Sequence, residues 1–389
     1  MDVLNKIGIT EIKDDTNFWM IRTKRGFFFD EYIKKQYIAI GWNLIKESTL
    51  KDGISNRQQE ALKEEIKQVY DEKLPGTAVN KCIKFYSSVK VGDIAMIVDK
   101  HRVAFATIGE YYEENDEKLT IDREIEVNKA TEDNKNRNHH FDCPYIKRRK
   151  ITIIKVIKNE AEITPYLYKA MAVNRHSLSD LCDYAETILS YCYDSYIYNG
   201  KLTLAFKIRK KDDINALDLS NFISSASRIA ANNQSNNVSV KTSLHSFGDV
   251  LLQIKDFADT NPLFTILIIY VAIFGGKVKD YEFGSLVSVI KWFVNRKHEV
   301  ETQKLDEEIK KVQIQKTNAE TAKLAAETAL LEEELLTKKQ NNEKQIKIID
   351  ECLPVLIESS KNMEVEPQSS TIINITEFLD EIEKQKGES

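Results

Sequence analysis

Three observations predict an α+β chain with a helical tail. Over residues 1–190, short runs rich in β-branched and aromatic residues alternate with amphipathic helical patterns. A second mixed segment, residues 197–297, opens on the alternating strand Lys201–Ile208 and closes on two very apolar stretches. From 298 to 350 neither Pro nor Gly interrupts a sequence dominated by Ala, Glu, Lys and Leu. Residues 351–389 then read as a linker and a short terminal helix over 372–384.

In order, residues 18–22 and 37–42 read as strands, with a turn and a helix-like step between them. Residues 56–71 carry Ala61, Leu62, Ile66, Val69 and Tyr70 at helical spacing, and Leu74-Pro75-Gly76 is the expected stop. Gly92-Asp93 turns into the apolar run 94–98, and 102–109 is its hairpin partner. Residues 113–138 are polar and read as a long loop. A strand returns at Arg148-Arg149-Lys150, and 179–198 reads as a helix with Leu181, Tyr184, Ala185, Ile188 and Leu189 on one face. In the second segment a helix follows Asp218, and 238–242 and 249–254 read as strands.

Residues 263–274 span about 18 Å as a helix, short of a bilayer core of about 30 Å. With 283–294 they are either two core helices or a hairpin that enters a membrane after activation. Ile268, Ile269, Phe274 and Trp292 are the residues that would do so. The helix 298–350 would be roughly 75 Å long and needs a partner to bury its apolar stripe. Leu305, Ile309, Val312, Ala326 and Leu330 on that stripe predict a homo-oligomer.

The net charge of −5 excludes a protein coated in basic surface, so any nucleic-acid site is a local patch. Five scattered cysteines without a CxxC pair suit a reducing cytoplasm. A metal-dependent nuclease needs a strand Asp before Glu-x-Lys. Glu11/Lys13, Glu65/Lys67 and Glu308/Lys310 lack that context and read as solvated charge. His139, His140 and Cys143 have no second ligand pair for zinc. Gly-x-Ser-x-Gly and a P-loop are both missing. The sequence therefore leans away from an enzyme, names no cofactor or metal, and leaves open a site assembled across subunits.

Stacking and phosphate contact are better served. Trp19, Phe27, Phe28, Trp42, Tyr86, Tyr111 and Tyr112 offer aromatic faces. Arg22, Lys24, Arg25 and the run Lys147-Arg148-Arg149-Lys150 offer cations, and Asn43 a base-edge partner.

Trp19-Met20-Ile21-Arg22, Gly26, Phe29 and Ala39-Ile40-Gly41-Trp42 are followed in order by Gly92-Asp93, Ile108-Gly109, Arg148-Arg149 and Asn174 to Leu178. This ordered set resembles the PUA-like domain (the EVE, ASCH and YTH superfold) at the N-terminus of Mrr-type modified-DNA restriction endonucleases. The family's Trp after the Arg pair is replaced here by Ile153 or Ile154. The resemblance implies an N-terminal PUA-like β-barrel over the first half of the chain, reading a nucleic acid or modified base without the nuclease half. Trp42 is the first choice for its pocket. Reader plus assembly helix implies a cytoplasmic, non-catalytic sensor or adaptor of bacterial anti-phage defence, acting with a second protein of the same system. The rivals are a membrane-disrupting effector and a structural oligomer whose fold binds no ligand.

Overall fold

The computed structural model describes residues 9–51, 53–132, 141–174, 176–208, 210, 212–231, 238–243, 248–254, 302–311 and 321–365. The chain divides into two compact units, Lys13–Tyr193 and Met1–Ile12 with Asp194–Ser389. It is mixed α+β, with a curled half-barrel sheet and a C-terminal helix. The first strand, β1 (Thr10–Glu11), belongs to the second unit.

The first unit is built on β2 (Phe18–Arg22), helix α1 (Phe29–Lys35), β3 (Tyr37–Ile40), α2 (Glu47–Leu50), α3 (Asn56–Tyr70), α4 (Pro75–Ile83), β4 (Ile94–Val98), β5 (Val103–Glu113), α5 (Ile121–Glu132), β6 (Lys147–Ile157), α6 (Pro165–Val173), β7 (Leu178–Asp180) and α7 (Ala185–Cys192). Six strands form one sheet in the order β3-β6-β5-β4-β2-β7, in which only β2 and β4 run parallel. The fully buried strands β3 and β4 explain their continuous apolar sequence. Trp19, Phe28, Tyr32, Tyr37, Phe85 and Ile97 pack in its core. Ser55 caps α3 in a capping box with Gln58.

Four expectations are corrected. Pro75 starts a helix rather than only ending one, because at the first helical position its missing N–H costs nothing. The polar stretch 113–138 holds the end of β5 and all of α5, whose mostly charged surface masks three buried positions, Glu124, Val127 and Thr131. The helix expected over 179–198 is confined to α7, with strand β7 before it and β8 (Ser195–Tyr198) after. The first unit begins at Lys13 rather than at residue 1, because β1 joins the sheet of the second unit.

In the second unit β8, β9 (Lys201–Ile208), β10 (Val238–Ser243) and β11 (Gly248–Ile254) join β1 in the order β1-β8-β9-β11-β10. Helices α8 (Ala216–Ala231) and α9 (Thr321–Asn362) pack with this sheet. The core joins Phe206 and Phe222 to Ile349, Cys352, Leu353, Leu356 and Met363 of α9. The tail is thus not wholly a separate assembly element, and no linker begins at 351: α9 runs through Pro354 to Asn362. Burial of its last third outweighs the hydrogen bond that Pro354 removes. Residues 302–311 are helical, and Leu305 and Ile309 are already buried within the single chain. Ala326 lies in α9, Leu330 is 67% exposed, and Val312 lies outside the described residues. So do 263–274 and 283–294, with Ile268, Ile269, Phe274 and Trp292. Among the described residues no helix is long and apolar enough to cross a membrane.

Candidate functional site

A cavity of about 1650 Å³ opens in the first unit. Its wall is made by the turn after β2, the turn after β3, the end of α3 with the loop that follows it, Lys81 near the end of α4, the β4–β5 hairpin and one side of α5. Trp42 lines it, half-buried, with a φ of +63°. A bulky side chain in the left-handed region is an outlier that costs on the order of 1–3 kcal/mol and persists only when its surroundings over-determine it.

Those surroundings are explicit. The Glu124 carboxylate, 1% exposed, accepts the Trp42 N–H on Oε1. Its Oε2 accepts the Asn43 N–H and the Tyr70 hydroxyl, each at 2.8 Å. Lys147, fully buried, donates from Nζ to the Trp42 carbonyl at 2.6 Å and the Ile45 carbonyl at 2.9 Å. Burial raises the Glu124 carboxyl and lowers the Lys147 ammonium. The preceding Gly41 is required by crowding: a Cβ there would lie 2.6 Å from Glu124 Oε1 and 3.1 Å from Tyr145 Cε1.

A second strained segment lies on the same wall. Lys24 and Arg25 have φ of +48° and +60°, and the Thr23 carbonyl accepts the Gly26 N–H at 3.1 Å, the sign pattern of a type I′ turn. At Gly26 a Cβ would sit 2.3 Å from Asp99 Oδ1. Lys24 pairs with Glu132 at 3.4 Å, and Arg25 donates to the Glu132 carbonyl at the end of α5, where the helix dipole favours a cation. Lys81 of α4 stands 5.4 Å from the centre of the Trp42 ring. Eight Lys and Arg residues line the cavity against six Asp and Glu, a local positive excess in a chain of net charge −5.

Trp42, Lys24, Arg25, Phe27 and Arg22 are therefore brought together. Arg22, however, directs its guanidinium at the C-terminal end of α6, donating to the Asn174 carbonyl at 2.7 Å and to the Met171 carbonyl. It is a helix cap in place of a phosphate ligand.

The other expected residues have structural work. Trp19 is 5% exposed and donates from Nε1 to Asp93 Oδ2 at 2.8 Å. Asn43 is 3% exposed and bridges the Pro144 carbonyl and the Ile146 N–H, which occupies the amide expected to read a base. Tyr86 packs edge-on to Tyr111, away from the cavity lining, with its hydroxyl 3.4 Å from Glu47.

The basic run is mostly interior. Arg149 is 4% exposed and donates to the carbonyls of Phe85, Tyr86 and Gly109. Arg148 is 7% exposed, pairs with Glu114 at 2.6 Å and stacks 4.3 Å from the Tyr37 ring centre. Only Lys150 of the run is exposed.

Glu124, Lys81, Asn128 and Tyr145 were missed. The one available signal for α5 was Glu124, Val127 and Thr131 at spacings of three and four, in a stretch with little apolar content. No protein-family model, curated protein or solved structure matches the chain.

Proposed function

We propose that the first unit is a PUA-like reader that recognises a nucleic acid or a nucleotide, with a modified or flipped base held against Trp42. The observation that carries this is the pinned, left-handed Trp42 at a cavity with a positive excess. Aromatic faces and cations together serve an unstacked base and its phosphate. The ordered resemblance to the N-terminal domains of Mrr-type enzymes supports the reading and supplies the defence setting. In the second unit, the exposed Leu330 and Leu336 of α9 support assembly of copies through that helix. The whole chain then acts as a non-catalytic sensor or adaptor.

The test is titration with short single-stranded and duplex DNA and RNA, read by tryptophan emission and light scattering. Wild type binds one class and Trp42→Ala does not. Equal binding by both proteins, or none by wild type, removes the reading.

A further inference from the structure

The cations of the cavity fall into two sets. Arg22, Lys24, Arg25 and Arg102 are each held by a carboxylate or a carbonyl. Lys73, Lys81, Lys100 and Lys129 have no ion pair and no side-chain hydrogen bond among the described residues. Three of these four are exposed, where an unpaired ammonium is ordinary. Lys81 is half-buried, with the face of the Trp42 ring 5.4 Å away and the Glu72 carboxylate acting on it from beyond ion-pair distance. A cation partly withdrawn from water without a direct ion-pair partner is costly, and burial lowers its pKa by more than the distant Glu72 carboxylate raises it. An anion brought to the same place would reverse both effects.

Asn128 supplies a second, independent feature. It lies one helical turn beyond Glu124 on α5 and lines the same cavity. Its Oδ1 accepts the Tyr145 hydroxyl at 2.8 Å. The Nδ2 donors are left without a partner among the described residues.

We propose that the cavity takes its ligand as an anion: a phosphate-bearing nucleotide unit whose charge neutralises Lys81 and whose ring edge offers an acceptor to Asn128 Nδ2. This rests on the reading of Trp42 as a base-stacking residue. The phosphate belongs either to a free nucleotide or to a strand, and the chemistry that recognises it is the same.

The experiment is calorimetric titration of the full chain with the four common nucleosides, their 5′-monophosphates and a short mixed-sequence single strand. Lys81→Gln is expected to weaken the phosphate-bearing probes by about tenfold or more, as for a lost hydrogen bond to a charged group, and to leave nucleosides unchanged. Lys81→Arg keeps the binding. Asn128→Asp preserves the acceptor for Tyr145, removes the donor, and weakens all three probe types. Monophosphates binding as tightly as the strand identify a free nucleotide; strand binding alone identifies a phosphodiester.

If Lys81→Gln binds phosphate-bearing probes like wild type while Trp42→Ala does not, the anion proposal falls and the Trp42 reading stands. If Trp42→Ala binds normally while Lys81→Gln does not, the stacking reading falls and the anion site stands. Failure of wild type to bind any probe overturns both. Lys81 is half-exposed, so its variants fold, and circular dichroism checks this.

Discussion

Glu124 and Lys147 hold the backbone of Trp42 from its two sides: the carboxylate accepts the N–H and the ammonium meets the carbonyl at 2.6 Å. Both charges are buried, at 1% and 0% exposure, and neither faces solvent for compensation. Each is satisfied by the peptide groups between them, so the unusual conformation at Trp42 and the buried charges justify one another. Glu124→Ala leaves two backbone N–H groups and the Tyr70 hydroxyl without their acceptor, and the buried Lys147 ammonium without the opposite charge that acts on it. The expected loss is about 3–5 kcal/mol, the range for breaking a buried charge pair. Urea unfolding measures it. The double variant Glu124→Gln/Lys147→Met should lose less than the sum of the two single variants, because neither charge is then left alone.

Trp42 separates strain from function. At φ +63° glycine is unstrained and alanine is not. Trp42→Gly should therefore be more stable than Trp42→Ala by about 1 kcal/mol, while both lose ligand binding. Paired thermal unfolding and binding curves check this. Equal stability of the two would mean that the backbone there relaxes out of the left-handed region.

Much of the first unit was legible because its strands are short, β-branched or aromatic and bounded by turn residues: 18–22, 37–40 and 94–98 were read within a residue or two. Trp42 was also legible as a pocket residue, and Lys24 and Arg25, read as available cations, line the same cavity. The basic run 147–150 was misleading. Sequence reports charge, and a run of cations ordinarily means solvent; here backbone carbonyls and one carboxylate draw Lys147, Arg148 and Arg149 inward. Helix α5 was hidden for the opposite reason, since its key buried residue is a glutamate and its apolar face is narrow. Periodicity finds helices that bury hydrocarbon and misses one that buries a carboxylate.

Arg149 tests that misreading directly. As a phosphate ligand, its loss would weaken nucleic-acid binding and reduce the salt dependence. As the buried donor to three carbonyls, its replacement by Met should instead cost about 1–3 kcal/mol for the acceptors left unpaired. Lys150→Met, on the exposed neighbour, should change stability by no more than about 0.5 kcal/mol. Thermal unfolding of the pair, with binding measured below both transitions, distinguishes the two roles.

Glu31 predicts a component of acid sensitivity. Burial raises its carboxyl, but hydrogen bonds from Lys35, Tyr37 and the Cys143 N–H outweigh this and leave the pKa below the ordinary 4.5. A carboxyl lowered in the folded state binds fewer protons than in the unfolded chain. Its contribution is thus fully present above the ordinary value and is lost as pH falls through the lowered one. The melting temperature of wild type should decline over that window more steeply than that of Glu31→Gln. Parallel slopes would assign the acid sensitivity to other carboxyls.

Helix α9 carries two kinds of leucine, and they should respond oppositely. Leu353 is fully buried in the core of the second unit, where Leu353→Ala creates a cavity costing about 2–5 kcal/mol. Leu330 is 67% exposed on the same helix, so Leu330→Lys should leave the stability of the single chain unchanged within about 0.5 kcal/mol. If copies assemble through that part of α9, Leu330→Lys shifts sedimentation toward the monomer, because an ammonium replaces apolar surface that the partner would bury. Leu353→Ala should lower the unfolding midpoint while the assembled fraction of the folded protein stays as in wild type. The reverse pattern would place the assembly surface on the core end of the helix and separate it from Leu330.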